Sequence, residues 1–189
     1  LFQSRQYVCL LESDWFFYFF TELKIFMFKH GSIEGVFVRE MKKFVDERGW
    51  LAETFRIDEM KENIPNAEQF FPVMSYISVT HPDIARGPHE HVEQSDLFGF
   101  IGPSNFKVYL WDNRKNSPTY NNKMVVFAGE DAPKSVLIPP GVVHAYKNVG
   151  GKLGMVMNYP NKLFAGKGKK EKVDEIRHED DVNTIYQLD

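Results

Sequence analysis

Two short stretches of the chain hold side chains that could do chemistry. The first is Arg86-Gly87-Pro88-His89-Glu90-His91-Val92-Glu93-Gln94-Ser95-Asp96, the second Pro139-Pro140-Gly141-Val142-Val143-His144-Ala145-Tyr146-Lys147-Asn148. On a strand, His89 and His91 are two apart and point to the same face. A carboxylate, Asp96, follows shortly, and a third imidazole, His144, stands behind a tight Pro-Gly turn. Together they could surround one cation, and imidazole with carboxylate suits zinc, iron, nickel or manganese. The plainer alternative makes His91 and Asp96 surface residues and His144 a turn histidine bonded to backbone.

The elements that must position these groups are expected to be strands. Short apolar stretches punctuated by turn signals run through the chain, the pattern of an all-β sandwich or barrel. Early strands are expected around Phe37, Phe44 and Val45, then from Leu51 to Ile57. Val73 to Thr80 follows, with Met74, Tyr76, Ser78 and Thr80 on one face. Leu97 to Ile101, Phe106 to Trp111, Met124 to Ala128, Ser135 to Ile138, Ala145 to Val149 and Leu153 to Asn158 complete the series. The connections are a polar stretch from Lys61 to Glu68 and a loop from Asp112 to Asn122. Short helices are expected near Asp58 to Glu62 and Lys170 to Arg177. Around ten strands of this length suggest an all-β double-sheet jelly roll with short peripheral helices.

At 189 residues, one domain is the default, and the chain is long enough for a full core. The aromatic fraction of 15%, with 17 Phe, favours a β-rich interior because aromatics fit pleated surfaces. A net charge of −3 argues against sequence-independent nucleic-acid binding, which needs a basic surface. The lysines at 167, 169, 170 and 172 are interleaved with Glu171, Asp174 and Glu175 and read as a solvated tail. Cys9 is the only cysteine, so no disulfide framework or cysteine metal cluster is available, and a reducing cytoplasm is the simplest expectation. The run Trp15-Phe16-Phe17-Tyr18-Phe19-Phe20 is too short to span a bilayer. Residues 1–26 are expected to be an extension foreign to the rest, non-native or disordered, with 27–189 forming one domain that ends in a helical tail.

Four segments, in order and spacing, carry a resemblance. They are Asp46-Glu47-Arg48-Gly49-Trp50-Leu51-Ala52-Glu53, Arg86-Gly87-Pro88-His89, Trp111-Asp112-Asn113-Arg114 with Ser117-Pro118-Thr119-Tyr120, and Pro139-Pro140-Gly141-Val142-Val143-His144. The chain resembles the dTDP-4-dehydrorhamnose 3,5-epimerase family, sugar-nucleotide isomerases built on a dimeric cupin jelly roll, the double-stranded β-helix. The resemblance implies proton removal beside a keto group at two ring carbons, with return on the other face, in polysaccharide biosynthesis. It implies no cofactor, a dTDP-linked keto-sugar as the small-molecule partner and a homodimer; the charge and the short apolar run above lead to the expectation of no nucleic-acid or membrane partner. His89 matches the family's base and Asp180 the carboxylate that pairs with it. Arg48 and Glu53 match positions that hold the nucleotide from the neighbouring subunit. Arg86 belongs to the same Arg-Gly-x-His segment and is a substrate-binding candidate.

The departures from the family pattern fall at the other roles. The family lysine that stabilises the enolate falls at Asp96, which has the opposite charge. Counting from His144 puts Met157 at the family's acidic tyrosine, with Tyr159 two residues on as a substitute. The family's sugar-contacting Gln and Asn appear as Met74 and Tyr76. The same changes favour a metal, because His89-x-His91, Asp96 and Pro139-x-Gly141-x-x-His144-x-x-x-Asn148 follow the general cupin metal pattern. The alternatives to the epimerase reading are therefore a metal-dependent cupin acting on another small polar substrate, with Zn, Fe, Ni or Mn at His89, His91, Asp96 and His144, and a non-catalytic sugar-nucleotide binder.

Overall fold

A computed structural model describes residues 28–63 and 70–189. The expected extension over 1–26, with Cys9, lies outside the described residues, as does most of the polar connection after Lys61. The strands are β1 (Lys29–His30), β2 (Phe37–Glu40), β3 (Lys43–Asp46), β4 (Gly49–Ala52), β5 (Tyr76–Thr80), β6 (Ala85–Glu90) and β7 (Asp96–Phe100). They continue with β8 (Asn105–Asp112), β9 (Asn122–Gly129), β10 (Lys134–Ile138), β11 (Val142–Asn148), β12 (Gly154–Asn158) and β13 (Ile176–Arg177). One helix, α1 (Ile57–Asn63), is seen among the described residues.

Two sheets face each other, in the orders β1-β9-β8-β11-β6-β13 and β2-β10-β7-β12-β5. Alternation of side chains along each strand makes the interior. Phe106, Val108 and Leu110 of β8 and Val142 and Tyr146 of β11 meet Phe98 and Phe100 of β7, Val136 of β10 and Val156 of β12 in one cluster. The odd-numbered residues of β11 point the other way, where Val143 and Ala145 join Tyr109, Trp111 and the C-terminal Tyr186. Leu97 and Leu137 leave the second sheet on its outer side and pack with Met60 of α1 and Phe70. This is the all-β jelly roll that the strand spacing predicts. The parity of each strand is fixed by burial, and parity decides which side chains reach the interior.

The short helix expected near Asp58 is present, with Asp58 and Glu59 in its first turn, where the helix dipole favours acidic groups. The helix expected over Lys170 to Arg177 is not. Gly166, Gly168 and Lys169 take positive φ, and the chain then runs extended to β13, which pairs antiparallel with β6. The stretch Lys169 to Lys172 has no apolar face to bury, so nothing holds it helical. The strand expected from Leu51 to Ile57 ends at Ala52, and the one expected from Val73 begins at Tyr76.

The loop between β8 and β9 is organised by one carboxylate. Asp112 is fully buried and accepts from Arg114 Nε at 2.8 Å, Ser117 Oγ at 2.6 Å and Thr119 Oγ1 at 2.6 Å. Burial alone would raise its pKa, but these donors outweigh it and bring the carboxyl down to about 2. A folded pKa below the ordinary 3.8 means stability that is present above pH 4 and is lost as pH falls toward 2. At about 1.4 kcal/mol per pKa unit, the contribution near neutrality is about 2 kcal/mol. Asp112→Asn is expected to lower stability in urea at pH 7 by at least that amount, with the gap to the parent protein closing as the pH is brought to 3. A gap independent of pH would show that the carboxylate charge is not the cause.

Strands β3 and β4 form a separate two-stranded hairpin. Val45 is 76% exposed and Leu51 64%, with Phe44 and Trp50 about half exposed, so the hairpin presents apolar side chains that the described residues leave largely uncovered.

Candidate active site

The interior between β6, β11, β5, β12 and β7 becomes polar at one end. His144 lies opposite His89 in the β11–β6 ladder, and a register shift follows between His144 and Tyr146. The shift sits at Gly87-Pro88, where Gly87 has φ of 79° and the Gly87–Pro88 bond is cis. The two facing imidazoles have ring centres 4.5 Å apart, edge to face. His91 lies just beyond the end of β6, and its carbonyl accepts from Gly141 N at 2.8 Å. That bond ties the Pro-Gly turn before His144 to the His91 segment. All three imidazoles offer a ligand atom within 4.8 Å of one another.

The tautomers follow from the backbone. A carbonyl only accepts, so the nitrogen facing it carries the hydrogen. His144 Nδ1 donates to Val142 O at 3.0 Å, and His91 Nδ1 donates to Asp174 O. The Nε2 atoms of both rings face Asp96, the first residue of β7. His91 Nε2 lies 3.0 Å from Asp96 Oδ2, while His144 Nε2 is 3.6 Å away, beyond hydrogen-bond reach, and is buried without a partner. The other carboxylate oxygen accepts from Gln94 Nε2 at 3.0 Å and Asn158 Nδ2 at 2.7 Å. Below this cluster Phe98 closes the apolar core, 5.7 Å from the His144 ring.

Burial opposes a charge on His91, but the hydrogen bond and negative charge of Asp96 win and its pKa is raised. Asp96 is opposed by burial too, and its pKa is still lowered, first by the His91 bond. His144 is held neutral by burial. His89 is pushed down to about 2, first by burial and then by His144 and His91. Its Nδ1 lies 4.0 Å from both Glu175 Oε1 and Glu179 Oε1.

A cavity of about 740 Å³ opens over the cluster. Arg86, His89 and His91 line it from the first sheet, and Tyr76 and Ser78 from the second. Tyr76 is pushed up to about 12 by burial, although its oxygen accepts from Asn158 Nδ2 at 2.9 Å. Arg86 is anchored by donating to Thr80 Oγ1 at 3.1 Å and Val79 O at 2.9 Å. The segment 171–179 forms another wall. Asp174 pins it, its carboxylate accepting from the backbone N–H groups of Val92, Glu93 and Gln94 at 2.8–2.9 Å.

The structure therefore brings together His89, His91, Asp96, His144, Arg86, Met74 and Tyr76, and the surface alternative for His91 and Asp96 does not hold because both are buried. Other candidates sit elsewhere. Asp180 is 68% exposed and ion-paired to Arg177 Nε at 3.2 Å; the carboxylates beside His89 are those of Glu175 and Glu179. Tyr159 lies on the outer side of the second sheet, its hydroxyl 2.8 Å from Thr54 Oγ1 and its ring against Phe55. Met157 faces outward as well, toward Ile77 and Met155, and Asn158 is the residue of β12 that points inward. Arg48 bonds Asp46 in the exposed hairpin, and Glu53 bonds Arg56; neither lines the cavity of this chain. Sequence reasoning missed Asn158, Gln94, Glu175, Glu179 and Tyr146, whose hydroxyl lies 2.7 Å from Ser78 Oγ. For Tyr146 the signal was present, since it stands two residues after His144 on one strand.

Known proteins resemble this chain in sequence and in fold. The sequence model of the dTDP-4-dehydrorhamnose 3,5-epimerase family matches residues 30–180. A probable low-salt glycan biosynthesis epimerase of Haloferax volcanii is 32% identical over 134 residues, 70% of this chain and 81% of that protein. The spore coat polysaccharide biosynthesis protein SpsL of Bacillus subtilis is 36% identical over 118 residues, 62% of this chain and 73% of that protein. The fold matches a dTDP sugar isomerase from Desulfovibrio desulfuricans with a TM-score of 0.67 at 22% identity, over 82% of this chain and 91% of that one. It also matches a 3'-monoepimerase of Streptomyces bikiniensis solved with dTDP-quinovose, with a TM-score of 0.64 at 20% identity, over 79% of this chain and 72% of that one. By matched length, shared motifs and fold, this chain belongs to the dTDP-4-dehydrorhamnose 3,5-epimerase family.

Proposed function

We propose that the protein is a divergent nucleotide-sugar epimerase or isomerase, acting on a dTDP-linked keto-sugar in polysaccharide biosynthesis. The observation that carries this reading is that His89 and Tyr76 line one cavity from opposite sheets. A base on one face of a sugar ring and an acid on the other are what inversion beside a keto group needs. His89 accepts the proton as the C–H bond breaks, and the electron pair moves to form the C=C bond and an oxyanion. Tyr76 returns a proton from its O–H to the other face, and its raised pKa keeps that proton in place at neutral pH. A buried ring such as His89 takes up charge only when something offsets its burial, and the Glu175 and Glu179 carboxylates are placed to do so.

The diphosphate suits the basic groups Arg86, Lys169, Lys172 and Arg177 on the cavity wall. We further propose a homodimer in which the exposed β3–β4 hairpin packs on the neighbouring subunit, covering its apolar side chains and carrying Arg48 and Glu53 to that subunit's nucleotide. No helix among the described residues is long and apolar enough to cross a membrane. The cytoplasm fits a chain whose only cysteine is Cys9. This chemistry needs no cofactor. A second reading, metal-assisted chemistry on the same or another small polar substrate, is favoured by one observation, the buried and unpartnered Nε2 of His144 beside Asp96.

The test is proton exchange in deuterated water, followed by NMR on a dTDP-4-keto-6-deoxy-sugar. The protein is expected to replace the hydrogens next to the keto group and invert a ring centre. Tyr76→Phe is expected to keep exchange at the abstracted position while inversion slows by about tenfold or more. Tight binding of the nucleotide sugar with neither exchange nor inversion would leave a binding protein and remove the enzyme reading.

A further inference from the structure

We propose that His91 Nε2, His144 Nε2 and Asp96 Oδ2 bind a divalent transition metal ion, with His89 left outside the ligand set. The inference deepens the metal-assisted reading and assigns separate tasks to imidazoles that the sequence treats alike.

The two ligand imidazoles are held in one manner. Each gives its Nδ1 hydrogen to a backbone carbonyl, His144 to Val142 and His91 to Asp174. That aims both Nε2 atoms at one carboxylate, where an arriving ion displaces the proton that His91 Nε2 shares with Asp96, and an outer hydrogen bond of this kind fixes ring orientation in metal sites. The carboxylate is oriented in turn, because Gln94 and Asn158 occupy its Oδ1. Its Oδ2 remains for the two imidazoles.

The arrangement is incomplete without a cation. His144 is 2% exposed, and its Nε2 has no hydrogen-bond partner. A lone-pair atom, Asp96 Oδ2, lies 3.6 Å from it. Two buried acceptors facing each other at that separation repel unless a positive centre lies between them. Asn158, which holds Asp96, also leaves its Oδ1 buried without a partner. The spacing fits a metal. Ligand atoms about 2.1 Å from an ion stand about 3.0–3.4 Å apart in octahedral or tetrahedral arrangements. The Nε2-to-Oδ2 separation is 3.0 Å for His91, inside that range, and 3.6 Å for His144, a little beyond it, so that ring would draw in slightly on binding.

His89 is held differently. Its Nδ1 faces the carboxylates of Glu175 and Glu179, each at 4.0 Å, and not a backbone carbonyl. It lies near enough to the other two rings to be a ligand by distance alone, within 4.8 Å. Its partners instead suit a ring that carries a proton from substrate. A divalent ion in this set, with zinc, iron, nickel or manganese as the class that imidazole and carboxylate favour, would supply Lewis-acid polarisation of a keto oxygen.

The experiment is binding, with no turnover required. Full-length protein is stripped with chelator and titrated with Zn2+ by calorimetry and with Co2+ by visible absorption. One ion per chain is expected, with the Co2+ spectrum of a nitrogen–oxygen site. His91→Ala and Asp96→Asn are expected to weaken binding by more than about 100-fold, while His89→Ala changes it by less than about tenfold. Circular dichroism confirms that each variant is folded, and His91, at the rim of the site, is the substitution that disturbs packing least. Failure of the parent protein to bind either ion overturns the site. Binding that survives in folded His91→Ala overturns it too, and binding lost in folded His89→Ala overturns the division of tasks. Proton exchange by stripped protein is scored separately, so that a metal-free epimerase leaves the proposed function standing while this inference falls.

Discussion

His89→Asn is expected to slow exchange of the hydrogens beside the keto group by about 10²–10⁴-fold, the usual worth of a positioned base. Asparagine keeps the length and polarity of the site but has no nitrogen that accepts a proton near neutral pH. The ring is walled by His144 at 4.5 Å and by the Glu175 and Glu179 carboxylates, so a shorter amide leaves the surrounding cluster in place. The nucleotide contacts proposed above lie elsewhere on the cavity wall, so KM is expected to stay within a few-fold while kcat falls. Steady-state kinetics and NMR exchange on one preparation check this. Exchange that persists within tenfold of the parent rate would remove His89 from the base's role and turn attention to Glu179, a cavity carboxylate whose pKa burial raises.

Gly87→Ala is expected to cost about 3 kcal/mol or more and to abolish the site with it. A Cβ at Gly87 would lie 2.5 Å from the backbone oxygen of His144 and 3.1 Å from the backbone nitrogen of His89. Backbone atoms cannot swing aside as a flexible side chain would. The residue also holds φ of 79°, a region that side chains other than glycine's occupy only with strain. The change forces apart β6 and β11, the two strands that carry His89 and His144. Urea denaturation with a change under 0.5 kcal/mol would show that the strands yield without loss. A stable variant that kept its exchange rate would show that the close approach is not needed for the site.

The fold was legible because its cause is local. Alternating strands between Val73 and Asn158, broken by Gly, Pro and Asn, can only pair into sheets with one apolar face each, and the edges fell within a few residues of the expected ones. The cluster was legible because two imidazoles two apart on a strand must share a face. What could not be read was parity across a loop. Counting from His144 to β12 assigns Met157 to the interior, but the turn over Val149 to Leu153 has a length that places Asn158 there instead, with Tyr159 outside. The same difficulty explains Asp180. In Glu179-Asp180-Asp181 the sequence offers neighbouring carboxylates, and only the backbone bonds of His178 and Glu179 to Pro88 determine that Glu179 faces His89 and Asp180 turns to Arg177. The exposed apolar side chains of the β3–β4 hairpin show a further limit, because their cover is not supplied by the described residues of this chain.

The pinning of segment 171–179 has a consequence for how the molecule is made. His91 receives its orienting carbonyl from Asp174, which lies 83 residues further along the chain. In chain order the two sheets have their principal strands complete at Asn158, and the apolar interior between them draws on no residue beyond it. The pocket differs, because one of its walls comes from the residues that follow, held where β13 pairs with β6. A chain cut short after Lys170 would leave the His91 ring without its anchor and would uncover Trp111, against which Tyr186 packs.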